Sequence, residues 1–140
     1  MAQLSEIAQR ALSELEEAGE ENIPTLLNTV TERTGAPGEL LAVQDALRSL
    51  INAGFAAMAV ERDVKSRRWK RMNERESLAL IDRSPDWLSF RASDCHWTDR
   101  RMKGPPFTFE SPHVLATAEG YARGRKILDE RGYQWWRHDK

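Results

Sequence analysis

Seven basic residues crowd the stretch from Arg62 to Arg75: Arg62, Lys65, Arg67, Arg68, Lys70, Arg71 and Arg75, against only Asp63 and Glu74. Guanidinium and ammonium groups at this density create a local positive field that attracts a polyanion whatever the charge of the whole chain. Their natural chemistry is charge-assisted hydrogen bonding to phosphate oxygens. Arg67-Arg68 and Lys70-Arg71 straddle Trp69, whose ring can rest on a sugar or a base. The plainer reading is a solvated hairpin in which Trp69 covers the core.

A second group, Asp94-Cys95-His96 with Asp99, brings together a thiol, an imidazole and two carboxylates. A cysteine nucleophile needs its base within hydrogen-bond reach and a third group to orient that base. On a strand, successive side chains point to opposite faces, which parts Cys95 from His96. The expectation is a buried thiol and a surface imidazole. His113 and His138 share no metal-ligand spacing with them or with each other. No catalytic residue, metal ligand or cofactor is assigned, and the chain is not expected to be an enzyme.

The frame that must carry the basic stretch is bounded by composition. With 140 residues, 40% apolar and 31% charged, the chain suits one domain with its own core. One cysteine excludes an intramolecular disulfide framework and a Cys-rich zinc cage. No apolar run approaches the roughly 18–20 residues of a membrane span, and Met1–Arg10 lacks the pattern of a secretory leader. A cytoplasmic protein without membrane contact is expected. The net charge of −1 hides a gradient: residues 1–50 hold 3 basic against 9 acidic side chains, 51–100 hold 10 against 8, and 101–140 hold 8 against 5.

Leu4, Ile7, Ala8, Ala11, Leu12 and Leu15 recur every three or four residues and predict a first helix stopped at Gly19, with Ser13 and Glu14 on its polar side. A short second helix starts near Asn22-Ile23-Pro24 and ends at Thr34–Gly38. A third runs from about Glu39 to Asn52, burying Leu40, Val43, Leu47, Leu50 and Ile51. Its exposed side is then Glu39, Gln44, Asp45, Arg48, Ser49 and Asn52. After Gly54 the period changes, and Phe55–Val60 reads as an apolar strand leading into the basic tip, with a returning strand around Trp69–Met72. Ser77–Asp82 is a short helix or a strand, and Trp87–Ala92 alternates as a strand. Phe107–Phe109 suggests another, behind the Gly104-Pro105-Pro106 break. A last helix extends from Thr117 as N-cap to Arg131, with Gly132 as its stop and Ala118, Tyr121, Ala122 and Leu128 facing inward. Trp135 and Trp136 then pack on the core or on a second subunit.

Helix, short helix, tight turn, helix, strand and basic hairpin is the order of a winged helix-turn-helix domain. Ala46–Phe55 resembles the end of the third helix and the start of the wing in winged-helix transcriptional regulators, including the PadR- and MarR-like groups. Leu115–Arg123, with Thr117 and Gly120, resembles the junction that follows the wing. The resemblance implies an α+β fold: N-terminal helices, a β-hairpin wing, an extra strand-rich insertion and a C-terminal helix. Residues 1–75 would form the winged-helix-like core, 76–112 the insertion, and 113–140 the C-terminal helix and tail of a single domain. It further implies a DNA-binding regulator, homodimeric through its terminal helices. Arg62, Lys65, Arg67, Arg68, Trp69, Lys70 and Arg71 would grip the phosphates of double-stranded DNA, and Gln44, Arg48 and Asn52 would make limited groove contacts. Glu39 and Asp45 sit among the latter and repel phosphate. The acidic first half favours a different use of the same frame, a protein–protein interaction module without DNA binding.

Overall fold

Ser5 opens the first helix by accepting the Ala8 N–H on its hydroxyl at 3.1 Å, and α1 then runs Glu6–Ala18 to Gly19, whose φ of +93° ends it. The computed structural model describes residues 3–63, 68–100 and 112–137. Leu4, Ala8, Ala11, Leu12 and Leu15 are buried as their spacing predicts. Complete burial of a leucine such as Leu12 or Leu15 stabilises by about 1.5–3 kcal/mol. Ser13 and Glu14, expected on the polar side, are also buried. The reason lies far along the chain, where the C-terminal segment crosses them: Trp135 Nε1 donates to Ser13 Oγ at 3.1 Å, and Arg137 meets Glu14 at 2.7 Å.

After a three-residue strand, β1 (Glu20–Asn22), Asn22 caps α2 (Ile23–Val30) by accepting the Thr25 N–H, and Pro24 stands in its first turn. Helix α3 spans Pro37–Asn52. Strands β2 (Ala56–Asp63) and β3 (Arg68–Arg71) form the expected antiparallel hairpin, with Ala59 opposite Arg71 and Val60 opposite Lys70. Helix α4 (Glu74–Arg83) follows, so Ser77–Asp82 is helical; Asn73 and Glu76 form its reciprocal capping box. Strands β4 (Leu88–Arg91) and β5 (His96–Asp99) make a separate two-stranded ladder. The stretch expected to be strand-rich therefore opens with a helix. The Gly104–Pro106 break and the Phe107–Phe109 strand lie outside the described residues.

The chain returns as β6 (His113–Ala116), which inserts between β1 and β2 to give the antiparallel order β1-β6-β2-β3. Thr117 caps the last helix, α5 (Ala118–Arg131), and Gly132 stops it, both as expected. Leu128 faces inward as expected, but its buried companions are Gly120, Gly124 and Ile127, whereas Ala118, Tyr121 and Ala122 are exposed. Backbone proximity selects that face. A Cβ on Gly120 would stand 1.9 Å from the Phe55 carbonyl oxygen, and one on Gly124 would stand 3.0 Å from that of Leu12. Glycine lets α5 approach α1 and the Phe55 backbone beyond α3 more closely than any other residue would.

One apolar cluster joins all these parts. Leu12 and Leu15 from α1, Leu26 from α2, Leu47 from α3, Ile81 from α4, Trp87, Leu88 and Trp97 around β4–β5, and Leu128 and Trp136 near the C-terminus belong to it. The architecture is mixed α+β. No helix among the described residues is long and apolar enough to cross a membrane.

Candidate nucleic-acid interface

Among the described residues β3 pairs only with β2, which places the basic hairpin at one edge of the main sheet that they form. Lys70 and Arg71 are exposed on β3, and Arg75 is exposed in the first turn of α4. Adjacent strand residues face opposite sides, so Lys70 and Arg71 present charge on both faces of this edge. Lys65 and Arg67 lie outside the described residues, as do the side chains of Arg62, Arg68 and Trp69.

The third helix is arranged differently from the sequence-based expectation. Gln44, assigned to its outer side, is only 4% exposed. Its Nε2 donates to the Ile81 carbonyl oxygen at 3.0 Å, at the far end of α4. Arg48 is drawn to carboxylates of the same chain: Nη1 meets Asp45 at 2.8 Å, and Nη2 meets Asp82 at 2.8 Å. Helix α4 thus covers the side of α3 that would face a groove. Of the three predicted groove residues, Asn52 alone is exposed without such a contact among the described residues. Gln44 lies four residues after Leu40, three before Leu47 and seven before Ile51, so the helical spacing already placed it beside the apolar stripe.

Glu39, expected to repel phosphate, is turned inward to organise the α2–α3 turn. Its carboxylate accepts the backbone N–H groups of Thr34 and Gly35 at 3.0–3.1 Å and the Trp97 indole N–H at 3.1 Å. Burial pushes its pKa up, but the hydrogen bonds from Thr34, Trp97 and Gly35 outweigh burial and hold it below the ordinary carboxylate value. Gly35 has φ +83°, and a Cβ there would come within 2.5 Å of the Phe90 ring. The β4–β5 ladder therefore sits directly on the α2–α3 turn.

Asp94 and Cys95 lie in the turn of that ladder, and His96 opens β5. Cys95 is exposed, contrary to the buried thiol expected, and has φ +55°. Asp94 is held by Arg91 at 2.6 Å, and that hydrogen bond lowers its pKa. His96 Nδ1 lies 2.7 Å from the Asp94 carbonyl oxygen. The contacts of Asp94 and His96 are thus those of a turn. His113, on β6, is half-buried, and burial lowers its pKa. Among the described residues no three His, Cys, Asp or Glu side chains gather into a metal-sized cluster. Compared with protein families, with curated proteins and with solved structures, the chain finds no match.

Proposed function

We propose that this chain is a winged-helix-like module that binds double-stranded DNA through the phosphate contacts of its basic β2–β3 hairpin, without base reading by α3. The order of α1, α2, α3 and an antiparallel strand ladder supports the frame. The observation that carries the reading is the exposure of Lys70 and Arg71 on β3, the outer strand of the sheet among the described residues, within the densest basic run of the sequence. Phosphate contacts give affinity and orientation and carry little sequence information. With Gln44 buried and Arg48 paired, the reading requires low sequence selectivity. A homodimer, and the regulator-like role that would accompany it, needs faces other than the α1 stripe, which is buried within the chain.

The second reading is a protein–protein interaction module on the same frame. It is favoured by the way α4 and β4–β5 cover α3 and the α2–α3 turn. Reversing charge at Lys70 and Arg71 separates the two. Titration of a fluorescent duplex should show at least a tenfold loss of affinity in the double variant. No DNA binding by the unaltered chain at low salt would leave the interaction module as the better account.

A further inference from the structure

A cleft of about 550 Å³ lies on the molecule between α2, the start of β5 and the C-terminal segment. It falls within the roughly 300–1,000 Å³ typical of small-molecule sites. Its walls carry the side chains of Arg33, His96, Trp136 and Arg137. Arg33 makes no ion pair among the described residues, and its guanidinium offers the planar donor pair that suits a carboxylate or phosphate. Glu32 also borders the cleft, whereas the charge of Arg137 is directed inward to Glu14.

Trp136 supplies the second observation. It is 2% exposed, it lines the cleft, and its indole N–H, closed to solvent, has no acceptor among the described residues. A buried donor left unpaired costs about 1–3 kcal/mol. The neighbouring indole is satisfied: Trp135 Nε1 donates to Ser13. The walls are also built from strained backbone. Arg33 (φ +57°) lines the cleft, Cys95 (φ +55°) immediately precedes His96, and Gln134 (φ +58°) stands two residues before Trp136. Non-glycine residues in this region cost of order 1–3 kcal/mol each and cluster where a chain is held in place for binding.

We infer that this cleft is a binding site for a small molecule carrying a carboxylate or a phosphate, with Arg33 holding the oxyanion and Trp136 forming part of the wall. The site is separate from the hairpin and does not depend on DNA binding.

The test is ¹⁵N-edited NMR of the full chain, titrated with inorganic phosphate and, separately, with citrate, while following the Trp136 indole N–H signal. Trp136→Phe identifies that signal; if this variant does not fold, through-space contacts to Arg137 assign it. The indole signal should move saturably with at least one anion, and the responsive anion distinguishes a phosphate from a carboxylate ligand. Arg33→Gln, at an exposed position, should weaken binding by roughly tenfold or more. The Lys70→Glu, Arg71→Glu pair should leave it unchanged. Absence of saturable movement with both anions, or equal affinity in the Arg33→Gln chain, overturns the assignment.

Discussion

The side-chain amide of Asn28 pairs with the backbone of Trp97 as a neighbouring strand would: its Nδ2 donates to the Trp97 carbonyl oxygen at 3.0 Å, and its Oδ1 accepts the Trp97 N–H at 2.7 Å. Asn28 is on α2 and Trp97 on β5, so one amide closes the open edge of the small ladder against the helix. With the Trp97 indole bound to Glu39, the β4–β5 ladder is fastened at two points, to α2 through Asn28 and to α3 through Glu39. Asn28→Ala leaves two backbone groups of Trp97 unpaired in a partly buried place. A loss of about 2–4 kcal/mol in urea denaturation is expected, with faster hydrogen exchange at the Trp97 amide.

Two glycines should respond in opposite directions to alanine. Gly120→Ala drives a Cβ into the Phe55 carbonyl, and should destabilise by several kcal/mol or prevent folding. Gly38, in the first turn of α3, has open space around its would-be Cβ and no positive φ. Gly38→Ala should stabilise by about 0.4–1 kcal/mol, because helix propensity and unfolded-chain entropy both favour alanine. Thermal unfolding of the two variants checks both signs.

Glu21 imposes a pH dependence. Burial, then its hydrogen bond to Glu14 and the charge of Glu14, push its pKa up to about 8. The folded chain consequently holds a proton that the unfolded chain releases near the ordinary carboxylate pKa of about 4.3. Through this group, stability should fall as pH rises from that value towards about 8. Glu21→Gln should flatten that part of the pH profile of denaturation midpoints.

Arg48 bears on the proposed mode of DNA binding. Its side chain is 35% exposed, and its guanidinium is engaged by Asp45 and Asp82. Arg48→Ala should change duplex affinity by less than about twofold, and stability by about 0–1 kcal/mol, the range for exposed ion pairs. A large loss of affinity would return α3 to the interface.

The legible parts of this fold were local. The α1 stripe, the Pro24 start of α2, the Thr117 cap and the Gly132 stop all depend on residues within a few positions of one another. The hairpin was legible for the same reason. What escaped the sequence reading depends on partners remote along the chain. Glu14 looks solvent-facing until Arg137 arrives. Glu39 looks like a surface carboxylate until Trp97 supplies its indole. Periodicity identifies the apolar side of a helix but not the polar residues that a later segment covers. The basic character of the hairpin was plain in the sequence, whereas the loss of α3 as a reading surface was not.

The most direct test of the central claim is the salt dependence of duplex binding, measured by fluorescence anisotropy for the unaltered chain and for the Lys70→Glu, Arg71→Glu variant. Each phosphate neutralised on B-DNA contributes about −0.9 to the slope of log affinity against log salt. The account predicts a steep negative slope for the unaltered chain, made shallower by about 1.8 when both cations are reversed. A slope near zero, or the same slope in both proteins, would contradict it.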